Sequence, residues 1–117
     1  MYEQNYQQVT GTGDAAQGSA DQTIIAAPGA GKVIRLQKAV ISVVVVAASA
    51  GGEVALEDGV GGTRIFEADA DALGVYSIDF GDRGYALTAN TLLNLTVDGS
   101  GGNQATANCT AVGIVSS

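Results

Sequence analysis

Residues 23–46 read TIIAAPGAGKVIRLQKAVISVVVV: an apolar run, a glycine-rich segment ending in Gly-Lys, and a second, longer apolar run. The first half has the outline of a strand entering a nucleotide-binding phosphate loop. That loop needs GxxxxGK[ST], in which backbone N–H groups cradle the phosphates, Lys reaches the outer ones and the last hydroxyl holds Mg²⁺. Here Ala26 stands at the first glycine position and Val33 at the hydroxyl position, so both ends of the pattern fail. The chain beyond the loop decides the matter. A phosphate loop opens a helix whose N-terminus faces the anion, whereas residues 33–46 are crowded with β-branched side chains, stiff at χ1, that favour strand. The segment around Pro28 and Gly31 therefore reads as a turn joining two strands. In the longer strand Ile34 and Leu36 share one face, but further on the apolar alternation runs through Ala39, Ile41, Val43 and Val45. The phase slips by one residue near Gln37 and Lys38. A β-bulge produces such a slip, and bulges bend long strands so that they can serve two sheets.

Working outward from this strand, the chain keeps the same character. Residues 1–8 are polar without clear periodicity and read as an N-terminal arm; residues 9–117 read as one domain. Residues 9–13 are a first short strand, 14–21 a loop, 23–27 a second strand and 28–31 a turn. After Gly51 and Gly52, residues 53–57 (EVALE) alternate, and 58–62 (DGVGG) turn. Short strands at 63–66 and 75–80 flank the acidic connection EADADALG, with Tyr76, Ile78 and Phe80 facing inward. Residues 92–98 put Leu93, Leu95 and Val97 inward and Asn94, Thr96 and Asp98 outward, and Gly99 to Gly102 turn into a closing strand at 104–115. One face of that strand is Ala105, Ala107, Cys109, Ala111, Gly113 and Val115, and its alanines imply close approach of whatever lies opposite. About eight strands at roughly ten-residue spacing, with no segment of helical period, predict an all-β fold: an antiparallel β-sandwich, jelly-roll-like. An immunoglobulin-like sandwich is the alternative, though its core Cys and Trp pair is missing.

Composition excludes several functions. Five basic against twelve acidic residues give a net charge of −7, a surface that nucleic acid would repel. Histidine is absent, and with it the commonest general base and transition-metal ligand. Tryptophan is absent too, which weighs against a sugar-stacking module. The longest apolar stretch, residues 39–50, contains two serines and is shorter than the ~20 residues that cross a bilayer. The first residues lack the basic and apolar regions of a signal peptide, and one cysteine, Cys109, allows no intrachain disulfide; synthesis in a reducing cytoplasm is expected. Cys109 lies among alanines with no histidine to activate it, and reads as a buried, inert thiol. Glu67, Asp69 and Asp71 alternate like the start of a calcium loop, but an EF-hand requires Gly and Glu where Ala72 and Ile78 stand. A looser shared calcium site at these three carboxylates is the alternative to a solvated acidic turn. Asp79-Phe80-Gly81 spells a kinase motif without the rest of a kinase. No catalytic, cofactor-binding or firm metal site emerges. The outward face of the last strand carries Val112 and Ile114 beside Thr and Asn, more apolar than solvent requires, and is a candidate subunit contact.

Two stretches, TIIAAPGAGKVIRLQKAVISVVV near the start and LTANTLLNLTVDGSGGNQATANCTAVGIV at the end, resemble the small Gly/Ala/Val-rich jelly-roll proteins that decorate, or form fibres on, the heads of tailed bacteriophages. Together they cover under half of the chain, and neither contains a catalytic signature. The resemblance implies a homotrimer bound to the major capsid protein on the outer shell of the virion, made in the host cytoplasm and working without a cofactor. In that setting Tyr2 and Tyr6 on the N-terminal arm are candidate anchors to the capsid, and Val112 and Ile114 are the candidate contact between subunits. A competing expectation is a binding module for a glycan or other cell-surface ligand on a fibre or tail.

Overall fold

The computed structural model describes residues 7–17, 21–45, 52–70, 73–98 and 105–117. Within them the chain forms nine strands: β1 (Gln7–Ala16), β2 (Gln22–Ile25), β3 (Val33–Val45), β4 (Glu53–Asp58), β5 (Thr63–Asp69), β6 (Gly74–Asp79), the two-residue β7 (Tyr85–Ala86), β8 (Leu93–Val97) and β9 (Ala105–Ser116). They build two antiparallel sheets. Sheet A runs β1-β9-β3-β6, with β7 also on β3, and sheet B runs β2-β8-β4-β5. Four of the pairings are nested: β4 with β5, β3 with β6, β2 with β8 and β1 with β9. Such nesting is one long hairpin, and rolling it so that β9 also pairs β3 and β8 also pairs β4 gives the jelly roll.

The bulge expected in β3 is present. Pairing with β9 shifts between Leu36 and Lys38, so Gln37 has no partner in the ladder. Before the bulge, Arg35 and Leu36 pair with β7; beyond it, Lys38 through Val43 pair with β6. The bulge therefore divides the longest strand between two neighbours. Its inward residues Ile34, Leu36, Ala39, Ile41 and Val43 meet Val54 and Leu56 of β4 and Leu93, Leu95 and Val97 of β8 in one buried core.

The core is a wedge. At one side Phe66 of β5 and Tyr76 of β6 bridge the sheets, with ring centroids 5.4 Å apart. At the other, β1 and β9 face inward with Gly11, Gly13, Ala107, Cys109 and Ala111, and β2 closes directly onto them. A Cβ on Gly11 would lie 2.7 Å from the carbonyl carbon of Ile24 and closer still to its oxygen. The small-residue face of the last strand is thus the place where two backbones nearly touch.

Several local expectations change. β1 takes in Gln7 and Gln8, paired with Val115 and Ile114, and continues through Asp14 to Ala16 against Asn108 to Thr106, where a loop was expected. Glu67 and Asp69 belong to β5, opposite Ala55 and Glu53, rather than to a connection. Asn94 is on the outward side of sheet B as its alternation requires, yet it is buried, because it donates from Nδ2 to the buried Glu57 at 2.9 Å. The turn expected at residues 99–102 lies outside the described residues, as do Tyr2, Tyr6 and Asp71.

Candidate interaction surface

The glycine-lysine segment is a turn in which the Gly29 and Lys32 N–H groups already have acceptors. Lys32 N donates to Gly29 O at 3.1 Å, Gly29 N donates to Asn90 Oδ1 at 2.9 Å, and Asn90 N donates to Lys32 O at 2.8 Å. β3 comes directly after it, so there is no helix terminus there to face a phosphate.

The outer face of sheet A is more informative. Register fixes its rows: Val112 lies between Thr10 and Lys38, Ile114 between Gln8 and Arg35, and Thr110 between Thr12 and Val40. Val112 and Ile114, the residues singled out from sequence, are both half-buried there. The segment from Phe80 to Gly84 is clamped over the bulge beside them. Phe80 N donates to Gln37 O at 2.8 Å, and the Gln37 side-chain amide donates to Asp82 O at 2.7 Å. Gly81 N donates to Asp79 Oδ1 at 2.8 Å, and Gly84, at φ 72°, sits where a Cβ would come 2.8 Å from Leu36 O. This clamp leaves two open depressions that share Asp82. One, of about 460 Å³, is lined by Arg35, Asp82, Arg83 and Ile114. The other, of about 480 Å³, is lined by Gln37, Lys38, Asp79, Gly81, Asp82 and Val112. Arg35, Lys38 and Arg83 make no ion pair among the described residues. Sequence reasoning did not single out these three cations, although the phase slip at Gln37 was a signal. It turns both Arg35 and Lys38 outward, on the face of Val112 and Ile114.

The other end of the same face is apolar. Val40 and Val44 are 42% and 50% exposed, and Leu73 and Val75 are 75% and 71% exposed. Ser42 pairs with Val75 and Val43 with Gly74, so these four side chains adjoin across β3 and the start of β6.

The outer face of sheet B has the opposite electrostatics. Arg64 lies among four carboxylates: Glu53 at 3.2 Å, Glu57 at 3.5 Å, Glu67 at 3.8 Å, and Asp98, with which it makes its tightest contact. The bond to Asp98 raises the Arg64 pKa, so the guanidinium is firmly charged. Glu53 is pushed above the usual carboxylate range, first by its hydrogen bond with Glu67 and then by that group's charge. Of the three carboxylates considered for calcium, Glu67 thus faces Arg64 and Glu53, while Asp69 is an exposed residue of β5. Among the described residues no three carboxylate, cysteine or histidine side chains are grouped to hold a metal.

Cys109 is fully buried between Gly13 and Ile41 of the neighbouring strands, and burial pushes its thiol up to about 12. Labelling of the native protein by a thiol reagent is expected to be slower than that of the urea-unfolded chain by at least about a hundredfold, since both access and thiolate are lacking. Equal rates in the two states would mean that the β9 inner face opens readily.

No protein-family model matches the chain, and no curated protein matches it. Among solved structures, it is similar to the Bacillus endospore appendages, described as a family of disulfide-linked pili, with a TM-score of 0.51 and 11% identity over 99% of this chain and 93% of that one. The coat protein of Tobacco streak virus aligns with a TM-score of 0.40 and 15% identity over 99% and 88% of the respective chains. At these identities the likeness is one of fold.

Proposed function

We propose that the protein is a non-enzymatic structural subunit of a tailed-bacteriophage virion, a homotrimer that sits on the outer capsid surface and reinforces the shell of major capsid protein. One observation carries this reading: Val40, Val44, Leu73 and Val75 form an apolar patch on the outer face of sheet A, exposed to solvent although the core is already filled. A patch of adjoining large apolar side chains marks a protein contact. The resemblance of the two terminal stretches to head-decoration proteins supplies the setting, and the net charge of −7 suits an outer surface with no DNA to bind.

The mechanism works through area and multiplicity. A trimer offers three copies of one weak contact at once, and linked contacts gain avidity without new interface. Because the protein binds assembled shell and not separated subunits, it stabilises the shell by mass action. The arm bearing Tyr2 and Tyr6 adds contact by ordering against the capsid.

Adding the purified protein to particles that lack it, with imaging of the product, tests the reading. Stoichiometric binding to the outside and a raised temperature of particle disruption are expected. Val44→Asp with Val75→Asp should weaken binding at least about tenfold, as burying unpaired charge in an interface does. Deleting residues 1–6, which stops short of β1, should weaken it while leaving the domain folded. Failure to bind particles, with binding to a glycan panel instead, would put the ligand-binding module in its place.

A further inference from the structure

We infer that the cationic, bulge-clamped end of sheet A docks the acidic outer face of sheet B of a second copy of this chain. The inference deepens the homo-oligomer part of the proposed function and rests on it, naming the two surfaces through which copies join.

Three of the five basic residues of this protein sit at one end of sheet A. Arg35, Lys38 and Arg83 gather around the two depressions on sheet A, where only Asp79 and Asp82 accompany them. One of those acids, Asp79, already accepts the Gly81 N–H. Sheet B gathers Glu53, Glu57, Glu67 and Asp98 on its outer side around Arg64, the one cation paired with them among the described residues. One end is thus short of anions and the other short of cations. The two surfaces lie on opposite sides of the sandwich, so a single copy cannot bring them together. Ile114 lines one of the depressions and Val112 the other, so each sets an apolar side chain beside the cations. Glu53 and Glu67 are both exposed beside Arg64, so a cation from a neighbour would offset negative charge that Arg64 does not fully balance.

A contact between two different patches is heterologous. Because the two patches face opposite ways, it joins copies head to tail in an open chain unless each copy is rotated enough against the next to close a ring. It is also electrostatic, so it weakens as salt rises.

Charge reversal on each face tests it, with assembly measured by sedimentation and folding checked by thermal melting. Lys38→Glu with Arg83→Glu, and separately Glu53→Lys with Glu67→Lys, change exposed side chains only. Wild type is expected to self-associate, and each double variant alone to associate at least about tenfold more weakly, since like charges then face each other. Mixing the two variants should restore assembly as alternating pairs and chains, because each reversed face then meets a reversed partner and each native face a native one; a ring of three cannot alternate and stays unfavoured. Net charge alone predicts otherwise: the glutamate variant would associate less and the lysine variant more than wild type. That pattern, a monomeric wild type, or variants that assemble like wild type would each overturn the inference. Assembly through these faces without particle binding would sink only the capsid reading; particle binding by a monomer would sink this inference and the homotrimer while leaving the capsid reading in place.

Discussion

Gly11→Ala is expected to destabilise the fold by about 3 kcal/mol, although glycine to alanine within a strand ordinarily adds about 0.5–1 kcal/mol. The normal gain comes from restricting the unfolded chain and from giving a strand a side chain to pack. At Gly11 that gain is overwhelmed, because a Cβ would overlap the Ile24 carbonyl, 2.7 Å from its carbon and nearer its oxygen, with Ile25 Cγ1 at 3.0 Å. The obstacle is backbone, and moving it means prising β2 away from β1, which also pulls Ile24 and Ile25 from the core. Gly13 supplies the control. A Cβ there would meet Gln22 Cγ at 2.9 Å and Ile24 Cδ1 at 3.0 Å, both on side chains that can rotate. Gly13→Ala should therefore cost no more than about 1 kcal/mol. Urea unfolding of the two variants at one protein concentration measures the difference. Equal costs, or a stabilised Gly11→Ala, would mean that β2 does not close on β1 as described.

That contrast also marks how far the sequence could be read. The bulge at Gln37 was visible because the core tolerates only one face of β3, so a slip in apolar phase must be a slip in backbone. The buried face of β9 was visible for the same reason, and its alanines announced a close neighbour without identifying it as β2. Asp14 to Ala16 looked like loop by composition, but pairing with β9 and burial of Ala15 hold them in strand. Glu67 and Asp69 misled in the same way: acidic residues on the outer side of an edge strand give no apolar signal. Asn94 was assigned to the correct side of β8. What alternation could not tell was that Glu57 would bond it and Arg64 would reach Glu57 from the next strand. The grouping of Arg83 with Arg35 and Lys38 needed the order of strands, which nested pairing fixes and local pattern does not.

The largest electrostatic effect is expected at Arg64. Arg64→Ala should cost about 2–3 kcal/mol near neutral pH, more than the ~0–1 kcal/mol of an exposed ion pair and less than the ~3–5 kcal/mol of a fully buried one. The reason for the intermediate value is Glu57: it is buried, Asn94 and the Gly61 N–H bond it at Oε1, and Arg64 alone among the described residues supplies it with a cation. Removing Arg64 also leaves Glu53, Glu67 and Asp98 facing one another. Arg64→Lys should recover only part of the loss, since a single ammonium cannot replace a planar fork spread over four carboxylates. The sign of the pH dependence comes from Glu53, whose folded pKa is raised. Between its unfolded and folded values the native state binds more protons than the unfolded state, so this group's contribution to stability falls as pH rises through that window. Without Arg64 the carboxylates repel more strongly and the fall should steepen. The cost of Arg64→Ala is therefore greatest at neutral pH and shrinks toward about pH 4 as Glu53 takes up its proton. Urea unfolding at the two pH values measures this. A cost below about 0.5 kcal/mol at neutral pH would reduce Arg64 to an ordinary surface charge, and a cost independent of pH would show that its packing over sheet B, not its charge, is what the fold uses.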